Sequence, residues 1–168
     1  MTHPTLFDTQ TPAAGLPIAR PAAAGAAYTI TLPTGLVLLN SNQRLHHHPK
    51  GKRTAAIRAA AHEAVTESPE LMAALAAAKP GPLFHRAHIL GVYHPPTNGR
   101  CDPANWYPSF KAAVDGLVDA GLLDDDDHAR VAGPDMRLGR KVKGGQIVLV
   151  IRALEQGEDW PDLGAVAR

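Results

Sequence analysis

The stretch from Arg100 to Val131, RCDPANWYPSFKAAVDGLVDAGLLDDDDHARV, constrains this chain more than any other. An isolated Asp, a helical Lys and four consecutive Asp residues bracket a segment whose apolar residues recur at helical spacing. Adjacent carboxylates repel, so chains tolerate such a run where water surrounds it, where it is disordered, or where a cation neutralises it. Its place directly after an amphipathic helix disfavours disorder and suggests carboxylates gathered around a divalent metal. Taken singly, each part has a plainer reading. Asp102 is a turn residue, Asp124 to Asp127 a solvated loop, and Lys111 an exposed lysine paired with Asp115 one turn later. Only the combination changes the balance. A helix of about a dozen residues spans roughly 18 Å, so loops linked to strands must bring its ends back together.

The chain has 168 residues, 45% of them hydrophobic, which suits one domain with a true core. The sole cysteine, Cys101, excludes an internal disulfide framework and a cysteine-rich zinc site, and a reducing, cytoplasmic setting is expected. No apolar run approaches a membrane span, and the first residues lack the pattern of a secretory signal. Net charge is +1, but the signs separate along the chain. Arg44, Lys50, Lys52, Arg53 and Arg58 form one basic stretch; Arg137, Arg140, Lys141 and Lys143 form another; Asp115, Asp119 and Asp124 to Asp127 lie between them. Basic patches flanking an acidic pocket suit a polyanion held over bound metal.

Residues 1–27, rich in Ala, Pro, Thr and Gly, read as a flexible arm; 28–155 form the folded domain and 156–168 a tail. Tyr28 to Leu32 alternates as a half-buried strand. Asn40 to Gly51 has loop composition, and Thr54 to Val65 carries helical spacing. Ser68 caps a short helix ending at Ala78, with Pro69 at its first position. Leu83 to His94 reads as a strand, so Asp102 sits just past a strand end. Pro108 opens the main helix, with Phe110, Ala113, Val114, Leu117 and Val118 as its buried stripe and Gly121 as a left-handed cap. Lys111, Asp115 and Asp119 share its other face. Ala129 to Leu138 is an irregular strand, and Gln146 to Leu154 a β-prone run after a Gly144-Gly145 turn. Strands and helices without regular βαβ repetition predict an α+β fold, a small mixed sheet with helices packed on one side.

The histidines carry no assigned function. His46, His47 and His48 cannot easily aim three consecutive imidazoles at one ion, and His85, His88 and His94 fall on mixed faces of a strand. Trp106 and Tyr107 beside Asn105 are expected as local core at the helix entry, with packing near a nucleotide base as the alternative.

The series Asp102, Asn105, Lys111, Asp115-Gly-Leu, Ala120-Gly121 and the Asp run resembles the signature of the RusA family of Holliday junction resolvases of phages and prophages. An opening strand followed by Asn40-Ser-Asn-Gln-Arg44, and the closing strand near 146–154, extend the resemblance over about 28–155. It implies a small α+β homodimer that binds four-way DNA junctions and nicks opposing strands symmetrically with Mg²⁺, in the cytoplasm of a bacterial or phage-infected cell. The implied catalytic residues are Asp102, Lys111 and Asp126, the last by ungapped counting from Asp115 and with Asp127 as its alternative; Asp102, Asp126, Asp125 and Asp115 are implied toward the metal. Asn42, Arg44, Lys50, Lys52, Arg53, Arg100, Asn105, Arg140, Lys141 and Lys143 are the implied DNA contacts. Two departures stand out. The family's second early carboxylate is Ala104 here, and the step from Asn105 to Lys111 is longer by three residues. A junction-binding protein without cleavage is therefore the alternative, and a small enzyme or regulator whose Asp run merely binds a cation is a third.

Overall fold

The computed structural model describes residues 20–44, 46–155 and 157–158. Most of the predicted arm and tail lies outside them. Of the arm, Arg20 and Ala22 donate backbone hydrogen bonds to the carbonyls of Ala77 and Leu83. Of the tail, Glu158 pairs with Arg152.

The chain runs β1 (Ala27–Thr31), α1 (His47–Thr66), α2 (Pro69–Ala78), β2 (Ala87–His94), a short 3₁₀ helix (Pro103–Trp106), α3 (Tyr107–Asp119), β3 (Val131–Leu138) and β4 (Gln146–Ala153). The strands form one mixed sheet in the order β1-β4-β2-β3. β4 is antiparallel to both β1 and β2, while β2 and β3 are parallel. A parallel pair requires a crossover, and α3 lies within it. The helices pack on one side, giving the predicted α+β architecture. Among the described residues no helix is long and apolar enough to cross a membrane.

Alternation decides which side of the sheet is covered. Ile30, Ile89, Ile147, Leu149 and Ile151 are buried beneath the helices, whereas Leu90, Val148 and Val150 on the opposite face are half-buried. Two glycines set the position of α3. A Cβ on Gly91 of β2 would stand 2.5 Å from the ring of Phe110, so α3 rests directly on the middle of that strand. A Cβ on Gly116 would stand 2.3 Å from the carbonyl oxygen of Arg58, so α1 and α3 approach backbone to backbone. Burial on α3 therefore extends beyond the predicted stripe to Ser109, Ala112 and Gly116, while Val118 is only half-buried.

Several local signals act as expected. The Ser68 hydroxyl accepts from the Leu71 N–H, Gly121 has φ +83°, and Gly144 and Gly145 turn into β4 with φ +86° and +72°. Beyond shifts of one or two residues, two boundaries differ from the sequence reading. α1 begins at His47 rather than Thr54. His47, His48 and Pro49 look like loop, but a first helical turn has no use for the proline's missing N–H. β2 begins at Ala87 rather than Leu83, because the Leu83 and Phe84 N–H groups donate to Gly121 and Leu122 after α3 instead of to a strand.

One buried polar contact ties the loop after β1 to α3. Ser109, fully buried, accepts from the Leu39 N–H at 2.7 Å and donates to the Leu39 carbonyl at 2.9 Å. Ser109→Ala would leave both backbone groups without a partner, a cost of about 1–3 kcal/mol. Urea unfolding should register that loss, and amide exchange should quicken at Leu39 and the neighbouring loop; unchanged values would show that water replaces the hydroxyl.

Candidate functional site

The site forms where α3, the Asp run and α1 meet. Lys111 and Asp115 are one turn apart on α3, and the ammonium donates to Asp115 Oδ1 at 2.5 Å. The same Lys111 Nζ donates to Asp126 Oδ2, fifteen residues on, after Gly121 has reversed the chain. One cation thus holds two carboxylates. The Lys111 side chain is 45% exposed, against 25% for Asp115 and 21% for Asp126, so the acids are the shielded partners.

Electrostatics follow from this arrangement. Burial alone would lower the Lys111 pKa, but the hydrogen bonds it donates to Asp115 and Asp126 outweigh it and hold the value above the ordinary one. Lys111 is therefore a charge and not a base at neutral pH. The Lys111 hydrogen bond holds the Asp126 carboxyl below its ordinary value of 3.8, against opposing burial. A depressed folded pKa means that the contact stabilises the fold above the unfolded value and loses its contribution as pH falls through the folded value. The melting-temperature difference between wild type and Asp126→Asn should therefore hold from about pH 7 to about pH 5 and shrink below about pH 4. A difference that stays constant below about pH 4 would show that Asp126 is not the titrating partner.

A second cation joins the cluster from α1. Arg58 makes a two-pronged ion pair with Asp119, its Nη2 donating to Oδ1 at 2.6 Å. Asp119 raises the Arg58 pKa, with smaller contributions from Asp115 and Asp126, so Arg58 belongs to the same field. The sequence placed Arg58 in a basic stretch and gave no sign of a partner 61 residues away. The packing of α1 on α3, close at Gly116, joins them.

The other predicted residues fall into three groups. Asp102 is exposed and caps the short 3₁₀ helix, its Oδ1 accepting from the Ala104 N–H at 3.0 Å. Asp125, also exposed, accepts from the Asp126 N–H at 2.8 Å, while Asp127 accepts from the Ala129 and Arg130 N–H groups and pairs with the Arg130 guanidinium. Among the described residues, no three or more His, Cys, Asp or Glu side chains are grouped so that they could hold a metal ion.

The second group is the turn at 40–44, which packs against the Asp102 motif because the Ser41 N–H donates to the Asn105 carbonyl at 2.7 Å. Asn42 and Arg44 are exposed there, and Gln43 Oε1 accepts from Arg53 Nη1 at 3.2 Å. Lys50 and Lys52 project from the first turns of α1, and Arg100 from the loop before Asp102, all exposed. The third group, Arg140, Lys141 and Lys143, is exposed on the β3–β4 connection. His94 Nδ1 steadies that connection by donating to the Arg140 carbonyl at 2.8 Å.

Trp106 stacks on the buried ring of Tyr93 at 4.4 Å, and its indole N–H donates to Cys101 Sγ, fixing the entry to α3. Tyr107, read with it as local core, is 45% exposed. Compared with known proteins, the chain matches no family model and no curated protein.

Proposed function

We propose that this chain is a magnesium-dependent endonuclease of the RusA type that nicks four-way DNA junctions symmetrically as a homodimer, in the cytoplasm of a bacterial or phage-infected cell. The observation that carries this reading is the single ammonium of Lys111 shared between Asp115 and Asp126. Magnesium is commonly bound through one or two protein carboxylates completed by water and substrate phosphate. Asp115 and Asp126 fit that donor set; Asp125 and Asp102, each occupied by a backbone N–H, are the further carboxylates near the motif. Magnesium bound there supplies polarisation of the scissile phosphate and a more acidic attacking water.

The chain's own residues do the rest. Lys111, half exposed and protonated, exchanges one of its two carboxylate partners for a phosphate oxygen and stabilises negative charge that builds there. Asp119 holds Arg58 beside it as a second positive charge. Arg44, Lys50, Lys52, Arg53 and Arg100 on one side and Arg140, Lys141 and Lys143 on the other contact flanking phosphates, with Asn42 and Asn105 at the turn. Affinity should then fall steeply with salt.

One observation favours the junction-binding alternative. Ala104 stands where the resemblance expects a carboxylate, and its N–H engages the side chain of Asp102. Cleavage of a synthetic mobile four-way junction against a matched linear duplex, with and without Mg²⁺, separates the readings. Paired nicks that need magnesium and disappear in Asp126→Asn support the nuclease; tight binding without nicks supports the alternative; neither binding nor nicking overturns both.

A further inference from the structure

A groove of about 270 Å³ opens at Trp106, four residues after Asp102. Its lining includes Val37, Gln43, Arg53, Tyr93 and Trp106, and the Gly144-Gly145 turn closes one end. Three features define what it accepts. Trp106, half-buried and backed by the buried ring of Tyr93, offers a π surface, and Val37, 62% exposed, adds an apolar lip that no part of the described chain covers. Gln43 supplies an amide able to donate and accept at once. Arg53 lies in the wall, with Lys50 and Lys52 nearby on α1 and Lys143 next to the turn, while no acidic residue lines the groove. A flat, polar-edged, uncharged ring carried on an anionic chain meets all three conditions.

We infer that this groove is a nucleobase subsite, receiving one unpaired base of the bound strand against the Tyr93–Trp106 stack while Arg53 and the adjacent lysines hold its phosphates. The inference rests on the DNA-binding reading above and adds to it a single-strand contact and a source of base preference. Base stacking on aromatic side chains tolerates every base, and a hydrogen-bonding amide at the ring edge adds discrimination. Gln43 is the residue here that would choose among bases.

Trp106 itself provides the readout, since the chain has two tryptophans. In full-length Trp160→Phe, Trp106 emission is titrated without Mg²⁺ against an oligothymidylate of about eight nucleotides and against a strand of equal length carrying abasic sugars. Saturable quenching by the first, with binding of the abasic strand weaker by about tenfold, is the expected result. Gln43→Ala should flatten the difference among homopolymers of the four bases, each read as a ratio to abasic binding by the same variant because Gln43 also holds Arg53. Equal affinity for both strands, or binding that leaves Trp106 emission unmoved, overturns the inference. If Trp160→Phe folds poorly, 5-fluorotryptophan resonances of the unmodified chain give the same readout, with Trp106→Phe assigning the line. Quenching by the oligonucleotide with no nicking of a four-way junction would leave the base groove standing and remove the nuclease; nicking with no base dependence would do the reverse.

Discussion

Replacing Lys111 with Ala should reduce junction nicking by at least about a hundredfold, the scale of losing one electrostatic stabiliser of a developing oxyanion. Junction affinity should change little, because one phosphate contact among many is lost and the salt slope falls by about one unit. The fold should survive as well. Lys111 is 45% exposed and its ion pairs are therefore worth at most about 1 kcal/mol after solvent screening. What the substitution does create is a pair of shielded carboxylates, Asp115 and Asp126, with no cation between them. Lys111→Arg keeps the charge but changes its shape, and should retain part of the activity. Paired nicking assays and filter binding at several salt concentrations check all of this. Wild-type cleavage by the Ala variant would remove Lys111 from the mechanism.

The largest effect on stability should come from Gly116→Ala. Alanine favours the helical conformation by about 1 kcal/mol over glycine, which argues for stabilisation. Space argues the other way, and decisively. The added Cβ would meet the Arg58 carbonyl oxygen at 2.3 Å and Ala61 Cβ at 2.9 Å, and neither atom belongs to a flexible side-chain end. Relief requires α1 to move off α3, a net loss of about 3 kcal/mol and roughly 6–12 °C in melting temperature for a chain of this size. Gly51→Ala is the matching control. It lies near the start of α1 with nothing within 4 Å of its new Cβ, so the helix-propensity gain should appear alone. Urea denaturation of both variants tests the argument, and an unperturbed Gly116→Ala would mean that the two helices separate easily. Arg58 would report the same movement, since its pairing with Asp119 depends on that contact.

The sequence was legible where the determining atoms are close along the chain. Ser68 caps α2, Pro108 sits in the first turn of α3, Gly121 follows its end, and Gly144-Gly145 turns into β4, each by a rule that acts over about four residues. The Lys111–Asp115 pair follows from helical spacing alone. The boundaries misread, at His47 and Ala87, lie where composition and tertiary partners disagree: a histidine-proline stretch that is helical, and an apolar stretch that bonds to the chain after α3. At the site, contacts across 61 residues between Arg58 and Asp119, and across 70 between Leu39 and Ser109, left no local trace. Neither did the division of labour within four identical aspartates, where Asp126 turns to Lys111 and Asp127 to Arg130. Adjacent residues of one type differ only in direction, and direction is set by the turn that carries them.

The order β1-β4-β2-β3 has a consequence for how the protein is made. β1 bonds only to β4, so it finds its neighbour after almost the whole domain has left the ribosome, on the order of 10 s later at ordinary rates of synthesis. Until then β2 also lacks its antiparallel partner, and the early strands present unpaired edges. Nascent chains that stall before Gln146 should consequently be sticky and dependent on chaperones, whereas completion of the last strand should join β1 to β2 in one continuous sheet in a single step.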